Sequence, residues 1–342
     1  MAVAEEIRPG ARAGPARRVR DSPIVRLAGR RLLAAIPVLW GVTFLTYVVM
    51  DLLPGDTAQI LLGANATPAE IHQLSVELHL NEPFWVRYGI WLGDMFHGSL
   101  GTSLQSGENV TTILGARLPV TAELLLYAFV VSLVLAVGLA VLVARWPNGI
   151  LDRFSLVISM LGLSIAPYVL ALVLIYIFAV KIQWFPALGY TSPSVNLVEN
   201  IKSLTLPAAS LGFPLFAVYT RLLRADIVEQ VQREDYIVTA RAKGVRPWPI
   251  LLRHALPNSM FGLITLVGLN LGTLIGATVI IEPIFSLPGA GDILVQAINS
   301  HDVPVVEGIV VVFAVVVVVA NLLADILYAT LDPRIRYGRV AS

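Results

Sequence analysis

Six apolar blocks, each about as long as a bilayer is thick, alternate with connections that collect nearly all of the charge in this chain. A helix needs about 20 apolar residues to cross roughly 30 Å of hydrocarbon. The blocks run from Leu32 to Leu53, Val120 to Ala144, Phe154 to Val180, Thr205 to Leu223, Ser259 to Ile281 and Val306 to Tyr328. Charged residues make up 14% of the chain and hydrophobic residues 56%, where a soluble domain carries about 25% charged. The expected fold is therefore an all-α polytopic membrane protein with six transmembrane helices, and the usual division of length into soluble domains does not apply. Pro207 and Pro214 interrupt the fourth block, and Pro167 is expected to kink the third. The valine-rich stretch from Val310 to Val319 reads as a helix rather than a buried strand, by its length and flanks.

The cations set the topology. Arg8, Arg12, Arg17, Arg18, Arg20, Arg26, Arg30 and Arg31 precede the first block. Arg145 and Arg153 lie in the second connection, Arg221 to Arg253 in the fourth, and Arg334, Arg336 and Arg339 in the last segment. These amount to 20 of the 24 Lys and Arg, leaving Arg87, Arg117, Lys181 and Lys202 on the alternate connections. The positive-inside rule then places both termini in the cytoplasm with an even number of spans. Residues 1–29, rich in Arg, Ala, Pro and Gly, are expected to form a disordered cytoplasmic tail. The span-length block after them reads as a retained first helix (30–53) rather than a cleaved signal.

Residues 54–119 form an outside connection too long for a passive link. Thr67-Pro68-Ala69-Glu70 has the form of a capping box with proline at the first helical position. Ile71, Leu74 and Leu78 then fall on one face of a short helix. Gly98-Ser99-Leu100-Gly101-Thr102-Ser103 reads as a turn-rich strip. The segment is either an external platform or lid, or a cap packed on its own helices. His72 and His79 would share a helix face, a spacing open to metal capture or simple solvation. Residues 120–336 form the core with five further helices, and 337–342 a second cytoplasmic tail.

What the blocks lack narrows the function. Asp51, Glu123, Glu307 and Asp325 sit at their ends, and the interiors hold no Asp, Glu, Lys, Arg or His. Proton- and voltage-coupled carriers keep such groups near the midplane. Lys181, Lys202 and Lys243 follow Val, Ile and Ala, so the chain has no phosphate-binding Gly-Lys-Ser/Thr. Energy from ATP would have to be supplied by another chain. The absence of cysteine excludes thiol nucleophiles and cysteine-held metals, and a net charge of +1 argues against bulk nucleic-acid binding. In the fifth block Gly268, Gly272 and Gly276 recur at intervals of four, which lets a neighbouring helix approach closely. Asn270 and Thr273 are polar in the same span, either lining a pathway or bonding between helices.

The connection 224–258 is the most informative segment. Tyr236 to Lys243 is expected to be a short helix that ends at Gly244 in the left-handed conformation. A second short helix from Ile250 to Leu256 leads back into the membrane. Glu234, Asp235, Tyr236, Thr239, Ala240, Arg241, Ala242, Lys243 and Gly244 together offer small residues and cations in an order suited to docking on a soluble partner. This segment resembles the coupling motif of bacterial binding-protein-dependent ABC importer permeases: Glu-Ala-Ala, three residues, Gly, nine residues, Ile, one residue, Leu-Pro. Ala240, Gly244, Leu256 and Pro257 match in register. Val238, Thr239 and His254 depart from the pattern. Glu234 and Asp235, one helical turn earlier, are the acids available to replace the missing glutamate.

The resemblance extends from Arg30 to Arg336 and is to the dipeptide/oligopeptide permease family, first-subunit type. It is carried by Arg30-Arg31-Leu32, Pro37, Leu53-Pro54-Gly55-Asp56, Leu80-Asn81-Glu82-Pro83, Gly98–Ser103, Arg117-Leu118-Pro119, Glu282-Pro283-Ile284-Phe285, Pro288-Gly289 and Leu331-Asp332-Pro333-Arg334. It implies the type I ABC importer permease fold in a bacterial inner membrane. It also implies a second homologous permease subunit, two ATP-binding cassette ATPases that hold ATP and Mg²⁺, an extracytoplasmic substrate-binding protein and a peptide substrate. It implies no cofactor and no nucleic acid on this chain. An importer of nickel or another small solute, a self-sufficient secondary carrier and an assembly protein remain the alternatives.

Overall fold

The computed structural model describes residues 23–53, 57–63, 66–77 and 79–331. Most of the expected N-terminal tail, the whole 337–342 tail and Asp332-Pro333-Arg334 lie outside the described residues, as do Pro54-Gly55-Asp56 and Leu78. The elements are α1 (Pro23–Leu52), α2 (Thr57–Leu62), α3 (Pro68–Glu77), α4 (Phe84–Phe96), α5 (Val110–Ala144), α6 (Ile150–Ser164), α7 (Pro167–Leu174), α8 (Leu197–Arg233), α9 (Asp235–Ala242), α10 (Leu256–Phe285), α11 (Ala290–Asn299) and α12 (Val303–Leu331). Among the described residues there is no named strand, only an isolated bridge between Thr102 and Asn109. The helices outrun the expected blocks, α8 (Leu197–Arg233) most visibly at both ends. α1 begins at Pro23, inside the expected tail. α5 begins at Val110, so Arg117-Leu118-Pro119 is already helical.

α1, α5, α8, the run entering α10 and α12 are each long and apolar enough to cross a bilayer. The remaining crossing is the pair α6–α7, and here the expected kink is a break of 109°. Ile165 and Ala166 are extended, and Pro167 starts α7 afresh because it cannot donate to the turn before it. The two halves still run from one end of the bundle to the other. Asp152 at the start of α6 pairs with Arg224 near the end of α8. After the π-helical turn Ile175–Lys181, the Gly189 N–H donates to the Phe285 carbonyl at the far end of α10 (2.9 Å). Beside it the Tyr190 hydroxyl donates to Glu123 on α5 (2.6 Å). Burial, and then that carboxylate, push the Tyr190 hydroxyl up to about 12. Arg31 on α1 pairs with Asp325 on α12 at 2.7 Å, so the bundle's first and last helices meet at the same, Arg-rich end. An even number of crossings follows.

α8 is the axis of the bundle. It stays helical for 37 residues through Pro207 and Pro214. The Ser210 hydroxyl is turned inward and satisfied by the Pro207 carbonyl one turn back (2.7 Å). Leu204, Leu211, Leu215, Tyr219, Leu223 and Ile227 are buried along it. Lipid tails are as apolar as these side chains, so association depends on close packing by small residues. A Cβ on Gly162 of α6 would run into Ala217. A Cβ on Gly212 would lie 2.9 Å from the Ala128 carbonyl oxygen of α5, an atom of the backbone that cannot swing away. Gly212→Leu is therefore expected to lower stability by about 1–3 kcal/mol, read as a drop in the melting temperature of the purified chain in detergent.

The segment between α1 and α5 packs on the bundle. Thr67 and Glu70 form the reciprocal capping box: the Thr67 N–H and hydroxyl donate to Glu70 (2.8 and 2.7 Å), and the Glu70 N–H reaches the Thr67 hydroxyl (3.4 Å). These bonds hold the Glu70 carboxyl below its usual range. His79 lies past the end of α3 with φ 55°, so it does not share a helix face with His72. The turn-rich strip is pinned by Asp302, between α11 and α12. Its carboxylate accepts from the Ser103 hydroxyl (2.5 Å) and the Leu104 N–H (3.1 Å). This part of the connection is a cap on its own helices.

Candidate functional site

At the Arg-rich end the chain leaves α8, turns at Glu234 and forms α9. Glu234 is extended (φ −85°, ψ 128°), which breaks the helix after Arg233. Asp235 in the first turn of α9 faces the positive end of its dipole. Ile237 and Ala240 are buried against Ile250, with Tyr236 and Val245 packed beside them. The small side chain of Ala240 lets α9 lie close to the segment entering α10. Glu234, Asp235, Val238, Thr239, Arg241, Ala242, Lys243 and Gly244 are exposed.

Gly244 ends α9 as expected, with φ +76°. The Val245 N–H donates to the Ala240 carbonyl (3.1 Å) and the Gly244 N–H to the Arg241 carbonyl (2.9 Å), the paired bonds of a Schellman cap. The expected second short helix is not separate. Pro247–Pro249 and a π-helical turn, Ile250–Ala255, run without interruption into α10. The Leu256 N–H reaches back five residues to the Leu251 carbonyl, and this wider turn carries the chain past Pro257, which has no N–H of its own to give.

Tyr236 joins three elements. Its hydroxyl donates to Gln230 of α8 (2.5 Å) and accepts from Asn258 of α10 (2.9 Å). Arg241 folds back and donates to the Val231 carbonyl of α8 (3.0 Å). A cleft of about 400 Å³ lies between these residues and the end of α5, walled by Ala144, Arg145, Val228, Val231 and Ile250. Val238, where the resembling motif has glutamate, is 57% exposed, so that position presents an apolar group. Glu234 lies one turn before it on the same open face. α9 is therefore tied to α8 through Gln230, to the turn entering α10 through Ile250, and to α10 through Asn258.

The polar and glycine positions of α10 separate. Gly268 faces Ala324 and Gly272 faces Val317, both on α12, as packing requires. Gly276 has open space where a Cβ would go and lines a groove of about 500 Å³ between α1, α10 and α12. Thr273 lies on a different face, in a cleft of about 400 Å³ beside Leu211, Pro214 and the α6–α7 break, and its hydroxyl bonds the Asn270 carbonyl (2.7 Å). Asn270 is half-buried.

Sequence reasoning missed the polar groups that hold the bundle's two ends. Asp152 is buried and accepts two bonds from Arg224 (2.9 and 2.5 Å) and one from the Asn148 N–H (2.7 Å). Glu282 is also buried. It accepts from the Thr121 hydroxyl (2.6 Å) and from the Gly291 and Asp292 N–H groups at the start of α11 (2.7 and 3.1 Å), where a helix N-terminus favours an anion. Glu307 is not at an exposed helix end but fully buried in the second turn of α12.

The chain is thus a helical membrane bundle that presents a capped, charged helix to solvent at its Arg-rich end. The chain belongs to the family of binding-protein-dependent transport system inner membrane components: that family model matches residues 136–337, and the N-terminal model of the same systems matches residues 24–125. It is similar to the dipeptide transport system permease protein DppB of Alkalihalophilus pseudofirmus, with 37% identity over 330 residues, 91% of this chain and 99% of that one. It is similar also to the oligopeptide transport system permease protein AppB of Bacillus subtilis, with 38% identity over 90% of this chain and 98% of that one. A putative peptide transport system permease protein of Brucella abortus is 38% identical, again over 90% and 98%.

Proposed function

We propose that this chain is one of two homologous permease subunits of an importer that moves di- or oligopeptides into the cell by alternating access. The similarity to permeases named for dipeptides and oligopeptides supports the substrate. The observation that carries the mechanism is α9, an exposed helix tied to α8 by Tyr236 and to α10 by Ile250. In this reading the Arg-rich end is cytoplasmic, as the positive-inside rule requires. Two ATPase subunits hold ATP and Mg²⁺ and receive α9. Closure of the ATPases pushes the segment from Glu234 to Gly244, and the bundles rock to open outward. A binding protein on the opposite side releases peptide between the permeases, and hydrolysis resets them. Gly268 and Gly272 set the packing of α10 on α12 during this motion, while Thr273 faces the route.

The test is uptake of labelled di- and tetrapeptides by cells lacking the chain. Loss of peptide uptake, restored by returning the gene, is the expected outcome. Intact peptide uptake with loss of nickel uptake would move the chain to the metal-importing alternative.

A further inference from the structure

α4 packs against α1 well inside the end of the span. The Tyr88 hydroxyl bonds the Thr43 hydroxyl at 2.9 Å. The Tyr88 ring lies 5.6 Å from Phe44 and 5.4 Å from Tyr47, and the Phe84 ring lies 5.6 Å from Phe44. Thr43 is nine residues before Leu52, or about 13 Å down the helix. α12 gives the same level, because the cluster of Tyr47, Tyr88 and Trp91 packs on Val303 and on Val311 two turns further in. If Phe44 lay in water, α1 would keep only 32–42 for the hydrocarbon, about 16 Å of helix where roughly 30 Å is needed.

The surface chemistry of α4 agrees. Trp85, Ile90 and Phe96 are 70%, 51% and 79% exposed, and Val86 and Gly89 complete the open face between Trp85 and Ile90, with the exposed Asp94 at its edge one turn past Ile90. On the side of α1 away from α4, Leu45 and Val49 are 62% and 51% exposed, so the stretch of α1 that α4 packs against presents apolar groups to its surroundings as well. At 13 residues α4 is too short to span. Large aromatics near both of its ends suit the interface between headgroups and acyl chains. Its one cation, Arg87, passes over the Tyr47 ring and pairs with Asp51 near the top of α1, as a long basic side chain does when its backbone lies below the headgroups.

We infer that α4 is embedded in the leaflet opposite the Arg-rich end, with Trp85, Ile90 and Phe96 against lipid. The extracytoplasmic segment is thereby anchored in the membrane beside α1, and what rises into water is α2, α3 and the strip pinned by Asp302. The occupant of the exposed face is the bilayer, not a soluble protein.

The chain has no cysteine, so single cysteines can carry a spin label without background. Trp85→Cys and Ile90→Cys are compared in proteoliposomes of the full chain with Val49→Cys as the lipid-facing reference and Gln73→Cys on α3 as the water-facing one. The expected result is oxygen accessibility several-fold above that of a water-soluble nickel complex at both α4 positions, as at Val49. Nickel accessibility like that at Gln73 would overturn the inference by placing α4 in water. Protection from both reagents would overturn it in favour of a protein contact.

Discussion

Uptake is expected to fall by more than about tenfold when Gly244→Val is combined with Arg241→Glu, while the chain still inserts in the membrane. The reason is conformational rather than steric. Nothing lies within 4 Å of where a Cβ on Gly244 would sit, but its φ is +76°. The left-handed region costs an ordinary residue about 1–2 kcal/mol, and a β-branched residue is a genuine outlier there. Valine would pull the backbone out of that region and break the Val245–Ala240 and Gly244–Arg241 bonds that end α9. Glutamate at 241 would lose the bond to the Val231 carbonyl and reverse the charge at the basic end of the helix. Both sites are exposed and lie outside the spanning helices, so insertion is spared. The readout is ATP-driven uptake together with the amount of ATPase that co-purifies. Gly244→Asn is the control, because asparagine tolerates the left-handed cap, and it should retain most of the uptake. Normal uptake by the double variant would remove α9 from the mechanism.

Arg224→Ala is expected to destabilise the bundle by about 3–5 kcal/mol, the usual consequence of removing one partner of a buried ion pair. Asp152 is 1% exposed and takes both of its Arg224 bonds from one guanidinium fork. Without the arginine its charge is stranded at the packed start of α6, with only the Asn148 N–H left to meet it. Thermal unfolding in detergent and the steady-state level in the membrane report the loss. Adding Asp152→Asn should recover part of it, because the second change removes the stranded charge. If Arg224→Ala melts like the unaltered chain, the pair is not holding α6 to α8.

The contrast between the two sites shows what was legible in the residues. The six blocks, the short helix and the glycine cap could be read because each rests on local rules: span length, and the left-handed turn that glycine accepts. Arg224 was visible only as one more cation on a connection, since its partner is 72 residues away and nothing nearby marks Asp152. Glu282 and Glu307 were hidden for the same reason, as burial is set by which helices meet. Pro167 was read as a kink, yet Ile165 and Ala166 leave the helix entirely, because α7 packs on α8 and α10 in a direction the local sequence does not encode. The residues of α4 were read only as part of the outside connection 54–119, with no helix of their own. The depth of α4 became visible only through Thr43 and Phe44 on the neighbouring helix.

The central claim is that this chain carries peptides only when other chains drive it through α9. Its most direct test is ATP hydrolysis and peptide accumulation by proteoliposomes assembled from this chain, its homologous permease partner, the two ATPases and the binding protein. The account predicts that peptide-loaded binding protein raises hydrolysis several-fold, and that peptide accumulates inside only when every component and ATP are present. Accumulation by this chain alone without ATPases, or hydrolysis indifferent to peptide in the full assembly, would contradict it.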